Sequence, residues 1–377
     1  MVPFDNPDEL SRLIHLLSVA LEKRGSGAIS WGGVGHVINV HPDPIVGLNG
    51  IRLAYVQSDD ARAFAVFIDR SHITQAEPWR DLLGQALLEL GQPIPNVGWS
   101  AIVGPDPYCG GSSQATTLKS TVVLGTFELM AGNTPYFEEL PCISPSQIGC
   151  KERFISWPVQ VRGVEEKIDR YHFSDQALID LAILVSVLSL VFERPWVVRH
   201  QPYEFSGSME PLIQASTIGR ELGEISRVPV ELPAWAFTAW HVCKAEQAIK
   251  DALLTYQEAV RLMDWHPSWA LVAFMSALQT LGSRIAGNNK KQIRAALSTC
   301  LPNDKVTEIM KLHSLRGHTV HAGSLFGPEP FAGVTSRASA FNPLKRDPVA
   351  EFHFSTLGSL QRAVRSILIH HFESAPS

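Results

Sequence analysis

The chain is short of the features that would assign it quickly. Its five cysteines (Cys109, Cys142, Cys150, Cys243, Cys300) are odd in number, scattered, and never in a C-x-x-C pair. A disulfide framework or a zinc ribbon needs closer, repeated spacing, so reduced thiols in a cytoplasmic protein are expected. A basic excess is missing too: 32 Lys and Arg stand against 37 Asp and Glu, a formal net charge of -5. A protein that coats nucleic acid by charge alone is basic, which leaves room here only for a local basic groove. Internal repeats and low-complexity tracts are absent. The N-terminus, MVPFDNPDELSRLIHLLSVALEKRG, carries acids before its apolar run and no basic n-region, unlike a signal peptide. The long apolar run from Leu178 to Phe192 is shorter than the roughly 20 residues of a spanning helix and contains Asp180. It reads as a helix buried on all sides, and the chain as soluble, with no membrane partner.

What is present is enough apolar sequence for real cores: 45% of residues are hydrophobic and 18% charged, which argues against global disorder. The first helix starts at Asn6-Pro7-Asp8-Glu9, continues with Leu10, Leu13, Ile14, Leu17 and Leu21 at helical spacing, and ends at Gly25 and Gly27. The period then shortens. HVINV, GIRLAYVQS and RAFAVFID are β-branched or aromatic runs bounded by Pro, Gly, Asp or Asn, which is how strands read. A helix, EPWRDLLGQALLELG, interrupts them. NVGWSAIVG, TTLKSTVVLGTFEL and ERFISWPVQVRGV follow as further strands. Helices are too few for regular βαβ crossovers, so an α+β domain with a mixed or antiparallel sheet is expected. The apolar helix over about 175–193 packs on that sheet, and RPWVVRHQPYEFSGSMEP reads as irregular.

Beyond Pro229 and Pro233 the character changes. One helix is expected from about Ala234 to Asp264, another from Pro267, short ones in NKKQIRAALS and DKVTEIMKLHSLR, and a last one in LGSLQRAVRSILIHHFE. These readings divide the chain into an α+β domain over 1–230 and an all-α helical bundle over 234–377.

Most local motifs in the first part reduce to structure. SWGGVGHV is glycine-rich but lacks the strand–GxGxxG–helix setting of a dinucleotide site, so a turn is expected. His36, His41 and Asp43 lack a further fixed metal ligand, and Cys109 lacks a base partner nearby in sequence. No cofactor is expected. No chemical motif marks the first domain; its place ahead of an effector-like domain makes it a candidate sensor for an unknown trigger or ligand.

The stretch LHSLRGHTVHAGSLFG, Leu312 to Gly327, is denser. It holds His313, Arg316, His318 and His321. Arg316 and His321 form an R-x4-H pair, a spacing that recurs at Arg261/His266 and Arg365/His370 and so proves nothing alone. Its setting is distinctive: leucines before the Arg, Thr-Val before the His, and a long helix, SWALVAFMSALQTLGSRI, upstream. Over about Trp235 to Glu373 this arrangement resembles the C-terminal region of HEPN-domain proteins, particularly the Apea-like group. Two positions depart from that pattern. Gly317 follows the Arg where the family has a polar residue, and Gln279 stands where the family has a carboxylate.

The resemblance implies a HEPN-like helical bundle and a metal-independent endoribonuclease, a defence or toxin-like effector acting on RNA. Its site is expected at a two-fold homodimer interface, with Arg316 stabilising the phosphate, His321 as general acid/base and His318 as auxiliary. The chemistry suits the residue types. Histidine with a pKa near ~6.5 can give or take a proton at neutral pH, and arginine holds a phosphate in two-pronged fashion. Five helical residues give about 7.5 Å of rise and about 140° of rotation, so one straight helix does not place both on one stripe. A second subunit or a bent backbone would bring them together. GNNKK with Lys290, Lys291 and Arg294 is a weaker candidate RNA contact, against a solvated loop. His313 reads as an ordinary surface or core residue. Alternative expectations are an inactive HEPN-like dimerisation and RNA-binding module, which Gly317 and Gln279 would permit, or a structural partner in a larger assembly.

Overall fold

The computed structural model describes residues 2–3, 7–25, 29–34, 37–42, 48, 50–57, 62–67, 76–94, 96–106, 116–131, 136–141, 151–166, 172–204, 228–263, 266–285, 287–314, 316, 320 and 356–375. Two compact units emerge. One comprises Met1–Gly98 with Val164–Gln176, and the other Trp99–Gly163 with Ala177–Ser377. The line drawn from sequence near residue 230 therefore falls inside the second unit.

In the first unit, α1 (Pro7–Lys23) opens on a proline, which is tolerated in a first turn, and buries Leu13, Leu17 and Leu21 on one stripe. Gly25 closes it with φ 93, a left-handed conformation that glycine adopts freely. Helix α2 (Ala76–Leu90) buries Trp79, Leu82 and Ala86, and these join the α1 leucines, Leu48 and Ile51 in one core. Arg12 pins the end of α2 by donating from Nη2 to the carbonyls of Glu89 (3.2 Å), Gln92 (2.7 Å) and Pro93 (3.4 Å). A guanidinium there satisfies carbonyls that the helix end leaves unpaired.

The strands of this unit are β1 (Val2–Pro3), β2 (Ile29–Val34), β3 (Val37–Pro42), β4 (Ile51–Gln57) and β5 (Arg62–Phe67). They form an antiparallel sheet in the order β1-β5-β4-β3-β2. One expectation is corrected here. The segment Ser30–Val34 of SWGGVGHV is strand, not turn, with Gly32 opposite Asn39 and Gly33 opposite Ile38. Pairing with β3 overrides glycine's poor strand preference. His41 lies on β3 opposite Ser30, whereas His36, Asp43 and Cys109 lie outside the described residues.

The second unit is built on β6 (Asn96–Pro105), whose residues from Trp99 to Pro105 are all buried. Its sheet runs β13-β6-β12-β9-β8, with β8 (Val122–Leu124), β9 (Phe127–Ala131), β12 (Val159–Glu166) and β13 (Trp196–Glu204). Two ribbons accompany it. Strands β10 (Tyr136–Pro141) and β11 (Lys151–Ser156) pair antiparallel, and β7 (Thr116–Leu118) pairs parallel with β14 (Val228–Val230). Strand β13 occupies the stretch expected to be irregular. Trp196-Val197-Val198 starts it with strand-forming side chains, and register shifts between Val198 and His200 and between His200 and Tyr203 accommodate Pro202 on an edge strand.

Helix α3 (His172–Phe192) is long and apolar enough to cross a membrane by length and composition alone, yet most of Asp175–Phe192 is buried in the protein. Its buried Ser186 and Ser189 hydroxyls return to carbonyls one turn back, at 2.7 and 2.6 Å. Its buried Asp180 carboxylate pairs with Lys244.

The remaining chain is mostly helical, as expected, but the single helix drawn over 234–264 is two. Helices α4 (Ala234–Ala245) and α5 (Gln247–Leu262) are separated by Glu246, whose extended backbone (φ -124, ψ 95) ends the first and starts the second. Then come α6 (Pro267–Gly282), α7 (Asn289–Ser298), α8 (Asn303–Met310) and α9 (Gly358–Ser374). This run packs on the second sheet. Phe127 of β9 stands edge-on between Trp99 (5.5 Å) and Trp240 of α4 (4.8 Å). Gln257 Nε2 of α5 donates to the Trp196 carbonyl at 2.5 Å.

Candidate functional site

The site begins where α6 turns into α7. Gly282 closes α6 against the next helix so tightly that an added Cβ would lie 1.9 Å from the Gln292 carbonyl oxygen. Asn288 then caps α7, its Oδ1 accepting from the Lys291 backbone N–H at 2.9 Å. That cap is why the loop GNN becomes a helix at this point, and it fixes the direction of the residues that follow. Lys290, Lys291 and Arg294 are exposed on α7. Their spacings of three and four residues put them on neighbouring positions of one helical face.

Beyond a turn at Lys311 and Leu312, His313, Ser314 and Arg316 are helical, and the Arg316 N–H donates to the Leu312 carbonyl at 3.3 Å. His313 and Arg316 are thus one turn apart on the same side. The two segments meet in space. Asn288, Asn289, Lys290, Lys291, Arg294 and His313 line an open cleft of about 820 Å³. Burial first, then the Arg316 guanidinium and the Lys290 ammonium, hold the His313 imidazole below its usual pKa. Burial and the two nearby cations all disfavour the imidazolium form. Its Nε2 is buried without a hydrogen-bond partner among the described residues, and so is Nε of Arg316.

The three R-x4-H pairs now separate on physical grounds. Arg261 faces Asp106 Oδ2 (3.3 Å) and Glu258 Oε2 (3.5 Å). Arg365 donates from Nε to the Leu190 carbonyl (2.8 Å) and pairs with Glu193 (3.3 Å). Both are structural arginines that tie α5 and α9 into the unit. Arg316 has no carboxylate partner among the described residues, and neither do Lys290, Lys291 and Arg294. His266 sits at the start of α6 and lines a second, apolar cleft of about 420 Å³ with Leu262, Trp269 and Val272. His370 is exposed, its ring 6.4 Å from that of His371.

Of the candidate catalytic residues only Arg316 is among the described residues; His318 and His321 lie outside them, as does Gly317. Gln279 is half-buried on α6, and its Oε1 is buried without a partner among the described residues. Among the described residues no three His, Cys, Asp or Glu side chains gather where they could hold a metal ion. Cys243 is packed in α4, and burial pushes its thiol up to about 12, far from the thiolate that reactive cysteines need. The residue that sequence reasoning passed over is His313. Its burial and the cations Arg316 and Lys290 mark it, Lys290 being brought to it from α7.

No family model matches the chain, and no curated protein or solved structure matches it significantly. The likeness to HEPN proteins therefore rests on the residues quoted for it.

Proposed function

We propose that the helical part of this chain is an RNA-directed effector, a metal-independent endoribonuclease of HEPN type that works as a homodimer. The observation that carries it is the contrast among arginines. Arg261 and Arg365 are neutralised by carboxylates, whereas among the described residues Arg316 has no carboxylate partner, and neither do the three cations of the cleft beside it. An arginine in that state is matched to a phosphate, which it can hold through two parallel hydrogen bonds.

In the proposed reaction a 2′-hydroxyl loses its proton to a histidine as its oxygen attacks phosphorus. The new O2′–P bond forms, the P–O5′ bond breaks, and an imidazolium returns a proton to the leaving O5′. Arg316 stabilises the charge that builds on the phosphoryl oxygens, and His321 is the proposed proton carrier, with His318 as auxiliary. The motif of a second protomer supplies the other half of the acid–base work.

The test compares cell growth and RNA integrity on production of wild type, Arg316→Ala and His321→Ala, with purified protein assayed in parallel. Growth arrest and RNA cleavage by wild type alone are expected. Identical behaviour of all three would sink the nuclease reading. A second reading, RNA binding without cleavage, is favoured by Gln279, an amide at the carboxylate position of the HEPN pattern. Preserved binding with no cleavage by any of the three supports it. Light scattering in solution checks the dimer.

A further inference from the structure

The cleft between α7 and His313 asks for a ligand of its own. Four basic side chains from two segments line it, and among the described residues its lining includes no carboxylate. The chain as a whole carries a net charge of -5, so this local excess of positive charge is not a by-product of composition. Side chains with fixed positive charge repel one another at this range, and the arrangement costs stability unless an anion relieves it. The opening is too large for one inorganic ion and matches the size of sites that enclose larger ligands. From Lys290 to Arg294 the helix rises only about 6 Å, a spacing suited to neighbouring phosphates on one strand. Asn288 and Asn289 add amide donors and acceptors at the same rim, of the kind that reach sugar hydroxyls and base edges.

We infer that this cleft grips the phosphodiester backbone of single-stranded RNA, with Lys290, Lys291 and Arg294 on consecutive phosphates and His313 as a fourth contact. The inference rests on the RNA-directed reading of the same region. It assigns His313 to binding, away from the proton transfer ascribed to His321. Strand gripping and bond cleavage are then done by different residues, one turn apart: His313 faces the cleft, and Arg316 follows it.

The experiment titrates the full chain against a labelled oligouridylate by fluorescence anisotropy over a range of KCl concentrations. Lys291→Ala, Arg294→Glu and His313→Gln are compared with Lys23→Glu, an exposed charge change on α1. Neutralising one phosphate contact lowers the slope of log K against log salt by about 0.7, and reversal of Arg294 weakens binding by about tenfold or more. Lys23→Glu leaves both unchanged. Thermal melts of the exposed α7 variants, expected to match wild type, separate lost binding from lost folding. Equal affinities and slopes for wild type and the α7 variants overturn the inference. So does saturable binding of inorganic phosphate without any binding of the oligouridylate. Failure of the nuclease reading looks different: no variant cleaves RNA, yet charge-dependent binding through α7 persists. Cleavage that continues while the α7 variants bind like wild type removes the cleft assignment alone.

Discussion

Gly282 and Gln292 meet so closely that a Cβ at residue 282 would lie only 1.9 Å from the Gln292 carbonyl oxygen. The contact sets the distance between α6 and α7. Replacement by alanine forces the helices apart, because the obstructing atom is backbone and cannot swing away. Gly282→Ala is expected to cost about 1–3 kcal/mol, the usual range for overpacking, or more. The lowered Tm should come with weaker RNA binding, since α7 carries Lys290, Lys291 and Arg294. A variant with the wild-type Tm would show that the helices are not locked at this point.

Two arginines of the same sequence pattern should behave in opposite ways. Arg365→Ala removes bonds to the Leu190 carbonyl and to Glu193, a loss of about 1.5–3 kcal/mol for hydrogen bonds to a charged group, less in so far as Glu193 is exposed. Arg316→Ala removes no such partner among the described residues, so its melt should stay near wild type while RNA cleavage disappears. Urea denaturation of both variants, with cleavage assayed alongside, checks the pair. A destabilised Arg316→Ala would mean that this guanidinium is structural as well.

Acid should weaken the fold and tighten the complex. Both His313 and His371 have imidazoles held below their usual pKa, chiefly by burial; Arg316 and Lys290 add to it at His313, and His370 and Arg284 at His371, where Glu246 opposes them. Below about pH 6.5 the unfolded chain takes up protons that the folded chain refuses, so stability falls as pH falls through that window. Bound RNA reverses the sign at His313, because a polyanion favours the imidazolium. Its affinity is therefore expected to rise from pH 8 to pH 5.5, with a steeper salt slope at the lower pH. His313→Gln should flatten that trend. His371→Gln should flatten only the pH dependence of Tm.

A fragment starting at Ala234 should not fold alone. Trp240 would lose Phe127, Gln257 its acceptor at Trp196, Arg261 its partner Asp106, and Arg365 its bonds to Leu190 and Glu193. The far-ultraviolet circular dichroism of this fragment is expected to show partial helix with no cooperative melt. A sharp transition would instead mark the helical run as independent of the sheet beneath it.

How much of this could be read in advance depended on whether the cause was local. Helices α1, α2, α6 and α9 were legible because proline, glycine and apolar spacing act within a few residues of one another. Strand β13 was not: Pro202 and the flanking glycines and serines read as irregular, and only pairing with β6 makes the segment a strand. The break at Glu246 was hidden for a similar reason, since no Gly or Pro marks it. At the site, Arg316 stood out by its sequence setting, and Lys290, Lys291 and Arg294 by their charge. The cleft that Lys290, Lys291 and Arg294 share with His313 comes from packing between segments that the sequence keeps apart.

Strand β6 has a consequence for how the chain is made. Its neighbours in the sheet are β12 and β13, both encoded well downstream, so on the ribosome the run Trp99–Pro105 emerges long before either exists to cover it. A largely apolar strand that waits for distant partners is slow to settle and open to wrong pairing in the meantime. Changes in β13 should therefore show first in the amount of protein that escapes aggregation during synthesis, with the fraction that does fold keeping its normal properties.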